Sequence, residues 1–219
     1  MAVLCRSMSY FITFEGVEGC GKTTQIKLLK EFLEKTSGHE VVLTREPGGT
    51  PLANKIREIL LSTDNKTLTP KAELLLYEAG RNQHVEELIK PALKAKKIVL
   101  CDRYMDATTV YQGIARGLGL ELCENLNHLA VGECIPNLTL ILDCPPEIGL
   151  KRSLARLSKE KSKESRFEEE KLEFHKKVYK GYKDLAKNNP KRIKLIDATG
   201  NIYEIQKNIQ KEIKSLLKL

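Results

Sequence analysis

The 219-residue sequence contains no tryptophan, and its aromatic residues amount to only 5%. No apolar run approaches the roughly 18 residues that a helical membrane span requires, so no membrane partner is expected. Its six cysteines (Cys5, Cys20, Cys101, Cys123, Cys134 and Cys144) include no C-x-x-C pair. Neither zinc-ligand spacing nor a disulfide framework is present, which suits reduced thiols in a cytoplasmic protein. The four histidines (His39, His84, His128 and His175) form no constellation for nucleophilic or acid–base chemistry. Internal repeats and long Pro-, Gly- or Ser-rich linkers are also missing. Residues 10–219 are therefore read as one domain, and residues 1–9 as an N-terminal extension expected to be disordered.

Hydrophobic residues make up 41% and charged residues 30%, a balance that supports a packed core rather than a disordered chain. The formal net charge of +8 is unevenly spread: residues 151–219 carry 20 basic and 10 acidic residues. Much of that surplus is interleaved with glutamate, as in KEKSKESRFEEEK, the pattern of a solvated helical surface. Aromatic residues for stacking bases are sparse there, so no nucleic-acid partner is expected.

Five short apolar runs have the look of buried parallel strands: Tyr10–Phe14, Val41–Leu43, Ile98–Cys101, Leu138–Leu142 and Ile193–Ile196. Helical spacing lies between and after them. Ile26, Leu29, Phe32 and Leu33 form one stripe, Leu74, Tyr77 and Arg81 a second, and Ile205, Ile209, Ile213 and Leu216 a third. Alternating strands and helices predict an α/β fold with a doubly wound, parallel five-stranded sheet and ligands at the carboxyl ends of its strands.

Directly after the first strand stands Gly16-Val17-Glu18-Gly19-Cys20-Gly21-Lys22-Thr23, with a helix expected from Thr24. It satisfies G-x-x-x-x-G-K-[ST] at every fixed position. The glycines allow successive N–H groups to face phosphate oxygens, and the helix start adds a favourable dipole. Lys22 would reach the β and γ phosphates, and the Thr23 hydroxyl would ligate Mg²⁺. Asp102, at the end of the third strand, is the candidate second metal carboxylate, acting through water. Its neighbour Arg103 would neutralise phosphoryl charge, and Arg45 in Arg45-Glu46-Pro47-Gly48-Gly49-Thr50 suits a phosphate clamp.

Tyr77 and Arg81 are four residues apart and share one helical face, where a ring stacks a base and a guanidinium bonds its carbonyl edge. Taken alone, the pair reads more readily as a core tyrosine beside a solvated arginine. Thr108, Tyr111 and Gln112 offer a hydroxyl, an aromatic ring and an amide suited to a pyrimidine edge and its sugar; alone they read as a polar turn into a helix.

In this order and spacing, FEGVEGCGKTTQ, REPGGT, LLLYEAGRNQHV and DRYMDATTVYQG resemble the thymidylate kinases. DCPPEIGLKR (143–152) and FHKKVYKGYKDLA (174–186) are similar to that family as well, so the likeness runs from Tyr10 to Leu219. It implies a nucleoside monophosphate kinase fold, transfer of the γ-phosphoryl group of ATP to dTMP with Mg²⁺, and a homodimer packed through helices. By the same resemblance Gly16–Thr24 and Arg152 bind ATP, Glu18 lies near the acceptor's 3′-hydroxyl, and Arg45 and Arg103 hold its phosphate. Tyr77 stacks on thymine, Arg81 bonds a thymine carbonyl, Thr108 and Gln112 contact the base, and Tyr111 packs under the deoxyribose.

Gly19 stands where one subclass carries a basic residue in the phosphate loop. The chain thus resembles the bacterial-type members with a plain loop and a basic lid, here about residues 150–168. Arg152, Arg156 and Arg166 are the lid candidates, Arg156 foremost for transfer beside Lys22, Arg103 and Glu18. No general base is needed, because the acceptor is already an oxyanion. Another small-molecule kinase on the same scaffold, or a nucleotide-driven switch or nucleic-acid ATPase, are the competing readings.

Overall fold

The computed structural model describes residues 9–65, 67–160 and 165–219. The expected N-terminal extension, apart from Ser9, lies outside them, as do lid residues 161–164.

Five strands form one parallel sheet: β1 (Tyr10–Glu15), β2 (Val41–Arg45), β3 (Ile98–Asp102), β4 (Leu138–Asp143) and β5 (Ile193–Asp197), in the order β2-β3-β1-β4-β5. Nine α-helices are assigned among the described residues. They are α1 (Lys22–Thr36), α2 (Pro51–Leu61), α3 (Pro70–His84), α4 (Lys90–Lys94), α5 (Met105–Thr108), α6 (Leu120–Val131), α7 (Pro146–Glu160), α8 (Leu172–Asn188) and α9 (Ile202–Leu217). Two π-helical segments, Val85–Ile89 and Thr109–Ala115, continue α3 and α5.

Successive strand residues point to opposite faces, and both faces of the central strands are covered. Ile12, Phe14, Ile98 and Leu100 join Leu29 and Leu33 of α1 and Ile209 and Ile213 of α9 in one core. Phe11, Val99 and Cys101 join Val85, Ile89, Tyr104 and Val131 in a second. Each fully buried Leu, Ile or Phe contributes about 1.5–3 kcal/mol. The runs at β2 and β5 differ from the expectation of full burial: both strands are edges, and Leu43 and Leu195 are exposed.

Every strand also runs one or two residues beyond its apolar run, ending on Glu15, Arg45, Asp143 or Asp197, and on Asp102 as expected for the third strand. Apolar patterning misses these residues because backbone pairing continues past the core into the site. Likewise α1 starts at Lys22 rather than Thr24, following Gly21 at φ 101°. The helices flanking the site start from Thr-Pro pairs. Thr50 and Thr69 accept hydrogen bonds from the Ala53 and Ala72 backbone N–H groups, and Pro51 and Pro70 occupy the first turn.

Candidate active site

At the carboxyl ends of the strands lies an open cavity of about 850 Å³, large enough for two nucleotides. Loop residues Glu18, Gly19, Gly21, Lys22, Thr23 and Thr24 line one end. Arg45, Tyr77, Arg81, Asp102, Arg103, Thr108, Tyr111 and Gln112 line the other walls, and Arg152 and Arg156 of α7 also face it. Gly16, Val17 and Cys20 are buried and do not line the cavity.

Lys22 Nζ donates to the backbone oxygens of Gly16 and Val17, each at 3.1 Å, and contacts Cys20 Sγ at 3.5 Å. The ammonium is thus held within the loop whose amides would receive phosphate. The Thr23 hydroxyl donates to Asp102 Oδ2 at 3.1 Å. These are hard oxygen donors, as Mg²⁺ prefers. No group of three or more His, Cys, Asp or Glu among the described residues could hold a metal, which fits a cation that takes its remaining ligands from phosphates and water.

Arg103 sits at φ 68°, in the left-handed region, fixed by its backbone N–H donating to Phe14 O at 2.9 Å. Its guanidinium donates to Gly16 O (2.9 Å), the Tyr182 hydroxyl (3.2 Å) and Glu18 Oε1 (3.0 Å), and lies over the Tyr111 ring. The Tyr111 hydroxyl donates to the same Glu18 oxygen at 2.6 Å. Burial alone would raise the Glu18 pKa, but Arg103, aided by His175, Tyr111 and Lys22, brings it down to about 2. Burial pushes the Tyr111 phenol up, so it remains a donor. Glu15 shows the opposite balance. Burial outweighs Arg103 and the donors Tyr182 and Tyr104 N–H, and raises its pKa to about 7.

Arg81 is not the solvated arginine that the bland reading allowed. It is buried, and its guanidinium donates to Glu46 Oε2 (2.8 Å), Glu78 Oε1 (2.6 Å), Asn127 Oδ1 (2.9 Å) and Tyr104 O (3.3 Å). Of its five N–H groups, one remains for a ligand. His84 bridges Glu46 Oε1 (2.9 Å) and the Thr44 hydroxyl (2.6 Å), a structural part. Tyr77 faces Phe167 edge-on at 6.5 Å between ring centroids, so a residue between α7 and α8 closes the wall beside it.

Rather than entering as a polar turn, Thr108 ends a short α-helix, and Tyr111 and Gln112 lie in the π-helical segment. Gln112 Nε2 donates to Glu73 Oε1 at 2.7 Å. Glu73 is also the partner of Arg166 Nη1 at 2.8 Å, and Arg166 Nε donates to Leu60 O. Arg166 does not line the cavity, which separates it from Arg152 and Arg156; the buried Glu73 draws it toward the base wall. Of the supporting residues, Glu15, Glu46, Glu78, His175 and Tyr182 fall within the segments that carry the family likeness, but nothing in those segments marked their roles; Glu73, Asn127 and Phe167 lie outside them.

A phosphate loop at the end of a central parallel strand, opposed by an arginine-rich acceptor wall and a basic helix, defines a phosphotransferase of the nucleoside monophosphate kinase type. The family model described as thymidylate kinase matches residues 14–209. A thymidylate kinase of Syntrophotalea carbinolica is 57% identical over 199 residues, covering 90% of this chain and 92% of that protein. One from Geobacter sp. is 50% identical over 214 residues, covering 95% of each. The crystal structure of thymidylate kinase from Ehrlichia chaffeensis superposes with a TM-score of 0.75 at 36% identity, covering 94% of this chain and 99% of that one. The chain belongs to the thymidylate kinase family, and with it to ATP- and Mg²⁺-dependent phosphorylation of dTMP.

Proposed function

We propose that this chain converts dTMP to dTDP with the following division of labour. The observation that carries it is one cavity joining the phosphate loop to the buried Arg81 and the Tyr77–Tyr111 wall. An acceptor phosphate oxygen attacks the γ-phosphorus, and the bond to the bridging oxygen breaks, leaving its electron pair on ADP. Arg45 and Arg103 hold the acceptor phosphate in line. The loop amides from Gly16 to Thr24, with Lys22, receive the donor phosphates as charge spreads over their oxygens. Mg²⁺, which Thr23 and Asp102 would hold, supplies further neutralisation of that charge.

Tyr77 stacks the thymine ring, the free N–H of Arg81 meets a carbonyl, and Thr108 and Gln112 border the base. Tyr111 packs under the deoxyribose, and Glu18 accepts from its 3′-hydroxyl. Arg152 and Arg156 close over the donor, as part of a lid within a single kinase domain spanning residues 10–219. Apolar side chains exposed on three neighbouring helices, Leu52 and Ile59 on α2, Leu75 on α3 and Leu122 and Leu129 on α6, support a homodimer. Five free, buried cysteines support a reducing compartment such as the cytoplasm, and among the described residues no helix is long and apolar enough to cross a membrane.

The deciding experiment follows ADP formation from Mg-ATP with each deoxynucleoside monophosphate in turn. Turnover with dTMP and little with dAMP, dCMP or dGMP is expected. Equal turnover with all four would overturn the base-reading assignments, and ADP formed without an acceptor would favour a nucleotide switch.

A further inference from the structure

His175 is wholly buried on α8, and neither ring nitrogen is hydrogen-bonded among the described residues. Such a group is costly unless something at the site completes it. Its Nδ1 lies 3.3 Å from Glu18 Oε2, an atom equally buried and equally without a well-aligned hydrogen bond. The other oxygen, Glu18 Oε1, already receives Tyr111 and Arg103. Oε2 is thus shut away from solvent beside His175, while Glu18 as a residue lines the cavity.

The rest of the helix supports the same wall. The Phe174 ring packs edge-on against Tyr111 at 6.0 Å, and the Tyr182 hydroxyl donates to Glu15 Oε2 at 2.6 Å while accepting from Arg103. His175 is thus the one polar group of α8 aimed at Glu18.

We propose that His175 is a positioning residue for the acceptor: its Nδ1–H fixes Glu18 Oε2, so that the carboxylate keeps the orientation in which it accepts the 3′-hydroxyl of the deoxyribose. The inference rests on the assignment of Glu18 to the acceptor sugar. Without the imidazole, only Oε1 is held, and the carboxylate is free to turn about its last side-chain torsion.

The test measures kcat/KM of the full-length enzyme with dTMP and with 2′,3′-dideoxythymidine monophosphate, which lacks the 3′-hydroxyl. His175→Leu should lower the ratio of the two values by about tenfold, the size expected for losing a hydrogen bond to a charged group. His175→Asn, whose amide nitrogen stands near the Nδ1 position, should restore most of the ratio. An equal loss on both acceptors, or no loss, overturns the proposal and leaves His175 a packing residue. Glu18→Gln separates the two claims. If it leaves the ratio unchanged, the sugar assignment falls. If it lowers the ratio and His175→Leu does not, only the role of His175 falls. Should His175→Leu not fold, His175→Asn is compared with His175→Gln, which places its amide nitrogen near Nε2; the ratio should fall only in the Gln variant.

Discussion

Replacing Arg81 with alanine should damage stability as well as dTMP binding, and the structure gives the scale. The Arg81 side chain is 1% exposed, Glu46 4% and Glu78 8%, so water contributes little to any of the three. Truncation removes four hydrogen bonds and leaves two buried carboxylates. Glu46 keeps His84, whereas Glu78, whose pKa burial already raises against the pull of Arg81, loses its main counter-charge. Breaking a buried pair from one side costs about 3–5 kcal/mol. For a chain of this size that corresponds to a fall in Tm of roughly 6–20 °C. Thermal unfolding followed by circular dichroism measures it directly. Adding Glu78→Gln to the variant should recover part of the loss, because it removes the stranded charge. An Arg81→Ala protein melting within about 2 °C of wild type would refute the reasoning, as would purely additive losses in the double variant. In the fraction that remains folded, KM for dTMP should rise more than KM for ATP.

Three further outcomes are expected. Lys22→Ala should lower kcat by at least about a hundredfold with an unchanged melting curve, since its bonds are to loop oxygens and phosphates; retained activity would remove the loop lysine from the mechanism. Arg156→Ala should reduce kcat by up to about 10³ with little change in KM or Tm. Its side chain is 52% exposed and 3.9 Å from Glu168, a pairing that contributes little to folding. Glu15, raised from 4.5 to about 7, binds its proton more tightly folded than unfolded, so its contribution to stability declines as pH rises from 4.5 through 7. Glu15→Gln should therefore flatten the stability profile in that window, by about 3 kcal/mol at its upper end; an unchanged slope in urea unfolding from pH 4.5 to 7.5 would contradict it.

How far these groups were legible in the sequence depended on what their function requires. The phosphate loop demands glycines at positive φ and a lysine and hydroxyl at set intervals, so Gly16–Thr23 could be read residue by residue, together with Asp102, which the Thr23 hydroxyl meets in the fold. Strand interiors were legible because apolar runs mark burial, but the last residues Glu15 and Asp197 were not, since nothing in periodicity tells them from a turn; Asp102 stood out only through its chemistry. Arg81 was visible as a candidate base reader, with Glu78 three residues before it on the same helix, while the Glu46 and Asn127 that also hold it come from two other segments and meet it only on folding. The same holds for Arg166, which the resemblance to members with a basic lid made a candidate for transfer. Its actual partner, Glu73, lies 93 positions earlier in the chain. Buried ion pairs of high sequence separation leave no local pattern, and here they form most of the acceptor wall.

The plain phosphate loop and the arginines of α7 are one arrangement seen from two sides. Gly19 has φ 68°, and a Cβ placed on it would lie 2.0 Å from the backbone oxygen of Gly149. A Cβ on Gly149 would lie 2.3 Å from the backbone oxygen of Glu18. Loop and α7 therefore meet backbone to backbone, and the space that a basic side chain at position 19 would need is occupied by the helix. Arg152 and Arg156 follow Gly149 by three and seven residues, which sets all three on one face of α7. The helix face that excludes a side chain from the loop is thus the face that turns two arginines toward the same cavity. Position 19 can be glycine without loss of positive charge because the contact that requires glycine also brings in the guanidinium groups.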